Sequence, residues 1–219
     1  MNEQGSLQAP ERVTAAIGRP ITQLTVLHWY DFICPFCYIG QSRDAIFEDR
    51  GFEISDLAFE IHPEIPPGGK FVGPRSGEMY DRLQEEADDA GLPLHWPERL
   101  PNSRMALASA EWVRRNRPDA FREFARSLFA AHFADGVDIG SQDVVRERAR
   151  AAGVNVDEMD RALADESAYL LVNETEMLGR QAGVRGTPAW LVGGKLIAGL
   201  LPQNTFIQIA EENLTDRKR

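Results

Sequence analysis

The chain has 219 residues, of which 43% are hydrophobic and 26% charged, proportions typical of a globular protein with its own buried core. Its 24 basic and 34 acidic residues leave a net charge of −10, which disfavours binding to nucleic acid or to an anionic membrane because phosphates would be repelled. Residues 1–20 hold no apolar core of signal-peptide length, and no apolar run is long enough to span a bilayer, so we expect a cytoplasmic protein.

The first third of the chain predicts a strand, a helix and a second strand. Residues 1–20 are polar and predict a flexible N-terminal arm. Residues 21–30 are rich in β-branched and aromatic side chains, which indicates a buried strand. A helix is predicted from Pro35 to about Gly51, and the alternation of Leu57, Phe59 and Ile61 predicts the next strand. Such a unit normally pairs its two strands in parallel through a right-handed crossover.

Helices are predicted through the middle of the chain. The Pro- and Gly-rich residues 63–74 indicate a connector and a domain boundary. Beyond this connector, residues that favour helix caps or first turns mark where the predicted helices start and end. The predicted helices run from Asn102 or Ser103 to about Arg115, from Pro118 with Phe121, Phe124, Ala125, Leu128 and Phe129 on one face, from Ser141 to Gly153, over residues 157–164, and from about Ser167 to Ala182.

The C-terminal part returns to strands. In "PAWLVGGKLIAGL" two glycines separate apolar runs, and they supply the positive φ angles that a tight hairpin turn needs. A final helix begins after Pro202. Without the helical block the order is that of a mixed sheet flanked by helices, an α/β fold, and the residues after the first strand lie at the sheet edge where such folds place their sites.

The two cysteines of the chain are three residues apart in "YDFICPFCYIG", residues 30–40. If the helix starts at Pro35, Cys34 stands at its N-terminus, where free N–H groups and the helix dipole favour a thiolate. Cys37 lies one turn further on the same face, close enough for a disulfide to form after a small adjustment. In a reducing compartment this pair indicates redox chemistry or metal binding rather than a structural disulfide.

Two other interpretations of the cysteines are possible besides redox chemistry. Both could be ordinary buried apolar residues. Zinc is disfavoured because one such pair supplies two ligands where a structural site needs four, and the four histidines show no ligand spacing, so we expect no metal site. The histidines are His28, His62, His95 and His132.

"DFICPFCYIG" resembles the active-site segment of the DsbA family of thiol-disulfide oxidoreductases within the thioredoxin superfamily, and is closest to its FrnE-like cytoplasmic group. "GVRGTPAWLVGGKLIAGL", residues 183–200, is similar to the superfamily's loop with a cis-proline before a strand. The resemblance implies a thioredoxin-like fold with a large inserted helical domain. It places the thioredoxin-like domain in residues 21–63 and 168–215 and the helical insertion in residues 64–167.

The resemblance also assigns roles to residues. It makes Cys34 the nucleophile and Cys37 the resolving thiol. Pro188 becomes the cis-proline, and together with Gly186 and Thr187 it offers backbone to an extended substrate. Pro35, Phe36, Asp31 and His28 are expected to support the site. Phe36 carries no charge, so we expect a less acidic Cys34 and a less oxidising couple than in periplasmic DsbA.

Two of the supporting residues have open alternatives. His28 lies six residues before Cys34, where related folds often bury an acid that assists the second thiol, but a histidine of the core is the simpler interpretation. Asp31 looks like the family's acid, and it either relays protons or pairs at the strand end.

The expected function is dithiol–disulfide exchange, including disulfide isomerisation. No bound cofactor is expected, and glutathione or another thiol would reload the pair. The partners would be disulfide- or thiol-containing proteins or small molecules, and the chain a monomer or homodimer. The alternatives are a glutathione-dependent enzyme of the kappa transferase or 2-hydroxychromene-2-carboxylate isomerase type, which activates glutathione with a serine, and a binding module without turnover.

Overall fold

The computed structural model describes residues 10–216 of the chain. Helices and strands follow one another in an order that begins and ends with helices. The helices are α1 (Pro10–Ile17), α2 (Pro35–Glu48), α3 (Glu78–Asp89), α4 (Arg104–Asn116), α5 (Pro118–Phe133), α6 (Gln142–Ala151), α7 (Val156–Ala164), α8 (Ser167–Gln181) and α9 (Gln203–Asp216). The strands are β1 (Thr25–Tyr30), β2 (Glu53–Ala58), β3 (Lys70–Phe71), β4 (Arg99–Leu100), β5 (Ala189–Val192) and β6 (Lys195–Ala198).

A four-stranded mixed sheet carries the site. Its strand order is β2-β1-β5-β6, with β1 and β2 parallel and the other neighbours antiparallel. The parallel pair is joined by α2, as the strand–helix–strand prediction requires. The β5–β6 turn consists of Gly193 and Gly194, whose φ angles of 53° and 80° fit the predicted tight hairpin. The sheet and the helices on its two faces form the mixed α/β fold that the sequence predicts.

The sheet has an apolar layer on each face. On one face Trp29 and Leu57 pack with residues of α1 and α8. On the other face Val26 and Val192 pack with Phe47 of α2 and with α9. Because both faces are covered, the strands consist mostly of buried residues, as is usual for sheets between helical layers.

The outer edge of β2 is covered by side chains rather than left open. Arg19 donates to the Ile54 carbonyl at 3.0 Å, and the buried Glu111 carboxylate of α4 accepts from the Ala58 N–H at 2.7 Å. Thr175 of α8 donates its hydroxyl to the Ala58 carbonyl at 2.8 Å. These bonds satisfy an edge that could otherwise pair with another chain.

The prediction of a flexible arm over residues 1–20 is wrong for its second half. Residues 10–17 form α1, whose Val13, Ala16 and Ile17 are buried against the sheet layer. Arg114 of α4 donates to the carbonyl oxygens of Ala16 and Ile17 and so caps the C-terminal end of this helix. A helix of eight residues depends on such tertiary contacts, which its own polar sequence does not reveal. Residues 1–9 lie outside the described residues.

Four further elements, α3, β3, β4 and β2, differ from the sequence prediction. Helix α3 and the two-residue pair β3–β4 were not predicted, because α3 is strongly polar and its buried positions, Leu83 and Ala87, are few. Strand β2 ends at Ala58, so Phe59 and Ile61 lie beyond it. Here Asp31 binds the backbone of Ile61, and the chain leaves the sheet.

The division into a thioredoxin-like domain and a helical insertion remains a prediction. Helix α8, assigned to the thioredoxin-like part, packs on α4 and α7 of the helical block as well as on β2. The two parts therefore share this helix. Among residues 10–216, none of the helices is both long and apolar enough to cross a lipid bilayer.

Candidate active site

The two cysteines lie at the start of α2, directly after the carboxyl end of β1. Cys34 is the residue that caps the helix N-terminus, with φ −87° and ψ 112°, and Pro35 occupies the first helical position. The Cys37 N–H donates to the Cys34 carbonyl at 3.0 Å. The free N–H groups and the positive end of the helix dipole therefore surround Cys34, as its position before proline predicts.

The two thiols differ in acidity although both are buried. Cys34 is 3% exposed and Cys37 is not exposed at all, so Cys34 is less open to solvent than its place at a helix end indicates. Burial opposes ionisation of Cys34, but hydrogen bonds from Cys37 and Thr187 outweigh it and lower the pKa of Cys34. Burial and the hydrogen bond to Cys34 raise the pKa of Cys37 well above the ordinary value. Cys34 is therefore the more acidic of the two thiols and ionises before Cys37.

The loop before β5 faces the first cysteine. The peptide bond between Thr187 and Pro188 is cis. The Thr187 carbonyl oxygen lies 3.3 Å from Cys34 Sγ, and the Gly199 N–H donates to the Pro188 carbonyl at 2.8 Å, which holds the loop against the end of β6. Gly186 is exposed, so the loop presents backbone to solvent beside the thiol.

The Thr187 hydroxyl is a polar atom inside this site. Thr187 Oγ1 is buried and has no hydrogen-bond partner in the part of the chain that the structure describes. A buried hydroxyl without a partner is uncommon in folded proteins. A thiolate on Cys34 would give it an acceptor, and this bond contributes to the lowered pKa of Cys34.

Asp31 ties the active-site loop to the segment beyond β2. Its side chain is fully buried, and its two carboxylate oxygens accept from the Ile33 N–H at 3.2 Å and from the Ile61 N–H at 2.9 Å. Burial raises the pKa of Asp31 despite these bonds. Its negative charge also opposes ionisation of Cys34. The contacts make Asp31 a link between two loops, and they place its charge near the thiols.

His28 lies in the middle of β1 and belongs to a cluster of charges. Its Nδ1 lies 2.8 Å from an oxygen of Asp56 on β2 and 3.2 Å from an oxygen of Asp44 on α2. Burial disfavours the imidazolium, yet the two carboxylates raise the pKa of His28 to about 10. A relay of protons at neutral pH needs a histidine that releases its proton there, so this geometry favours the interpretation of His28 as a core residue.

The same three residues have the composition of a metal site. Ligand atoms of His28, Asp44 and Asp56 lie within 4.8 Å of one another. In the cluster Nδ1 faces both carboxylates as a donor, and a metal would have to displace its proton. Both carboxylates already have the His28 Nδ1 as a partner, so we assign no metal here, and the expectation of a chain without a metal site remains a prediction.

Phe36, between the two cysteines, borders a cleft on the other side of the site. Residues of α3 and the segment after β6 complete this cleft of about 280 Å³, with Met79, Leu83 and Leu200 as its apolar members. Met79 is 51% exposed. Sequence reasoning missed Asp44, Asp56 and Met79. Only the folded chain brings β2 and α3 next to the cysteine segment, and only there does Asp44 of α2 meet His28.

Comparisons with known proteins agree with this architecture. The family described as "DSBA-like thioredoxin domain" matches residues 25–209. The uncharacterized protein YwbO of Bacillus subtilis is 22% identical over 194 residues, which cover 86% of this chain and 94% of YwbO. A probable DsbA oxidoreductase from Streptomyces coelicolor superposes with a TM-score of 0.77 at 23% identity, covering 88% of this chain and 91% of that one.

A structure of 2-hydroxychromene-2-carboxylate isomerase is similar as well. Its TM-score is 0.69 at 20% identity, and the match covers 89% of this chain and 97% of the isomerase. At these identities the structural matches show a shared fold, the DsbA-like thioredoxin fold. The chemistry of this chain depends on its own residues.

Proposed function

The chain belongs to the family of DSBA-like thioredoxin domains, and on that premise we propose that it exchanges dithiols and disulfides through Cys34 and Cys37. The observation that carries the proposal is the position of Cys34. Its sulfur lies at the N-terminus of α2, beside the Thr187–Pro188 loop, and its pKa is lowered, while the pKa of the neighbouring Cys37 is raised. Such a contrast suits dithiol exchange, in which the more acidic thiol attacks first and the less acidic thiol later resolves the mixed disulfide.

Exchange proceeds in two steps that conserve sulfur and electrons. The Cys34 thiolate attacks one sulfur of a substrate disulfide, forms a mixed disulfide and releases the other sulfur as a thiolate. Cys37 then loses its proton and attacks Cys34, which forms the Cys34–Cys37 disulfide and releases the second substrate thiol. The substrate gains two electrons and the protein loses two. The reverse sequence oxidises a dithiol substrate. In isomerisation, a different thiol of the substrate attacks the substrate sulfur of the mixed disulfide, which forms a new substrate disulfide and releases the Cys34 thiolate.

The loop of Gly186, Thr187 and Pro188 is the proposed place for the substrate chain. It offers backbone next to Cys34, and an extended peptide can add to such an edge in the manner of a strand. Phe36 offers the thiolate no charge, so we propose a couple less oxidising than that of periplasmic DsbA.

We propose that no cofactor is bound and that glutathione or another small thiol returns the pair to its working state. This supports a place in a reducing compartment such as the cytoplasm, where free thiols are abundant. The proposed substrates are thiol- or disulfide-containing proteins or small molecules. Monomer and homodimer both remain compatible with the proposal.

The Cys37→Ser variant tests the mechanism. Cys34 would still attack a disulfide, but no thiol would resolve the product, so a mixed disulfide on Cys34 should accumulate. The measurement is intact-protein mass spectrometry after incubating the reduced variant with glutathione disulfide, and separately with a peptide that contains one disulfide. The wild-type protein should instead end as the Cys34–Cys37 disulfide without an adduct.

The Cys34→Ser variant is the matched control, and it should form no adduct. If Cys37→Ser also forms none, while iodoacetamide still alkylates its Cys34, dithiol exchange is the wrong function. The glutathione-dependent transferase or isomerase type would then replace it, since such an enzyme binds glutathione without needing a resolving thiol.

A further inference from the structure

Trp190 connects the central strand of the sheet to the helix that carries the cysteines. Trp190 and His28 are direct partners in the β1–β5 pairing, and their rings stack with centroids 4.6 Å apart and planes 4° apart. Trp190 Nε1 donates to Asp44 Oδ1 at 2.7 Å. Asp44 lies on α2, two helical turns beyond Cys37, so this bond joins β5 to α2.

The connection closes into a ring because Asp44 also binds His28. Asp44 Oδ2 lies 3.2 Å from His28 Nδ1. We call His28, Asp44 and Trp190 the clamp, since each contacts the other two and each comes from a different element. His28 is 3% exposed and Trp190 is fully buried, so these contacts form away from bulk water, where an ion pair and a stacked cation are strongest.

Helix α2 packs tightly against the Trp190 ring at Gly40. Gly40 stands three residues after Cys37, and a Cβ at this position would lie 3.3 Å from two carbons of the Trp190 ring and 3.8 Å from Pro188 Cγ. A methyl group here would make an ordinary contact with Pro188 but would require α2 and the Trp190 ring to separate by a few tenths of an ångström. The same short stretch of α2 therefore touches the clamp and the loop that faces Cys34.

We propose that His28, Asp44 and Trp190 are positioning residues that hold the first turns of α2 against the Thr187–Pro188 loop and thereby set the reactivity of Cys34. The contact that matters joins Cys34 on α2 to the Thr187 side chain in the loop before β5, because the buried Thr187 hydroxyl has no other partner in the described residues and its hydrogen bond favours ionisation of Cys34. If the clamp loosens, the thiol and the loop separate. The donors that favour the thiolate then act more weakly, and Cys34 reacts more slowly near neutral pH.

The chain supplies a matched pair of variants for this proposal. Asp44 and Asp56 each give His28 one carboxylate partner, but only Asp44 also binds Trp190 and belongs to α2. Asp44→Asn and Asp56→Asn keep the shape of the side chain and each remove one negative charge from the cluster. A purely electrostatic role of the cluster predicts similar effects of both changes. The clamp predicts an effect of Asp44→Asn alone, because the single amide oxygen of Asn can accept from Trp190 or from His28 but cannot replace both carboxylate oxygens.

The measurement is the rate of iodoacetamide alkylation of Cys34 in the reduced protein across pH, resolved by mass spectrometry. We expect Asp44→Asn to slow alkylation at pH 7 by about three- to tenfold, as a rise of about 0.5 to 1 unit in thiol pKa would do, and Asp56→Asn to stay within about twofold of wild type. Gly40→Ala should slow the reaction as well, since its methyl group pushes α2 away from Trp190, and it decides the matter if Asp44→Asn does not fold.

Two results would overturn the clamp. One is an alkylation rate for both Asp44→Asn and Gly40→Ala that equals wild type, and the other is an equal slowing by Asp44→Asn and Asp56→Asn. The proposal rests on dithiol exchange only for its biological meaning. Alkylation needs no disulfide substrate, so the clamp can fail while the Cys37→Ser trap succeeds, and the reverse result is equally distinguishable.

Discussion

At the scale of single residues, the site places two thiols whose pKa values are shifted in opposite directions within one helical turn. The same hydrogen bond that raises the pKa of Cys37 lowers that of Cys34, because Cys37 donates its proton toward the Cys34 sulfur. Burial alone would raise both. The Thr187 side chain lowers the pKa of both thiols, so the asymmetry comes from Cys37, whose thiol and N–H both favour ionisation of Cys34.

The charge on His28 makes a prediction about stability. Its pKa in the folded protein is about 10 against an ordinary value of 6.5, so its contribution to stability is complete below pH 6.5 and is lost as pH rises through 10. Between these limits the folded protein holds one proton more than the unfolded chain. The free energy of unfolding should therefore fall by up to about 1.4 kcal/mol per pH unit from this group.

Urea denaturation of wild type and His28→Asn between pH 6.5 and 10 measures this contribution as the difference between the two slopes. His62→Asn is the matched control, because the His62 side chain is 46% exposed and its ionic partner among the described residues is the exposed Glu64. The control should keep the wild-type slope. Parallel slopes for wild type and His28→Asn would show that His28 does not retain its proton in the folded protein.

At the scale of elements, the sequence predicts well where local chemistry decides the structure. Pro118 and Gly183 mark helix ends, and Gly193 and Gly194 form the hairpin turn, since the backbone angles needed there suit few other residues. The same local logic placed Cys34 at a helix N-terminus. Asp44 and Trp190, by contrast, meet across 146 residues, and the composition of neither segment announces the contact.

Helix α1 depends on tertiary contacts that its local sequence does not indicate. It is short, and its stability depends on burying Val13, Ala16 and Ile17 and on Arg114. Val13→Ser replaces a fully buried methyl-bearing side chain with a hydroxyl. We expect amide hydrogen exchange within residues 13–18 to accelerate by at least about tenfold, which corresponds to about 1.4 kcal/mol of lost docking energy.

Ala15→Ser is the control for α1, since residue 15 is on the exposed face of the same helix. It should leave exchange near the wild-type rate. Alkylation of Cys34 should be unchanged in both variants, because α1 packs on the face of the sheet opposite to α2. Equal exchange rates in Val13→Ser and wild type would mean that α1 does not depend on this burial.

At the scale of the whole molecule, the helical block and the sheet are joined by buried polar contacts as well as by apolar packing. Glu111 of α4 accepts from the Ala58 N–H of β2 and pairs with Arg114 at 2.6 Å, and Arg114 in turn holds α1. Both charges of this pair are at least nine-tenths buried. One carboxylate thus links a strand, a helix of the block and the N-terminal helix.

This arrangement predicts that the sheet and the helical block unfold together and that Glu111→Gln destabilises both. The variant leaves the Arg114 charge buried without its partner, which should lower the free energy of unfolding by about 3 kcal/mol. Glu174→Gln is the control, since it removes a similar partner from Arg115 at an exposed position and should change stability by less than about 1 kcal/mol.

Two probes test whether the parts unfold as one. Far-UV circular dichroism follows the helices, most of which lie outside the sheet layers, while alkylation of the fully buried Cys37 follows the thioredoxin-like part. Both should give the same urea midpoint in wild type and shift together in Glu111→Gln. Separate midpoints would show that the helical block is an independent folding unit, in which case Glu111 would stabilise only the part to which α4 belongs.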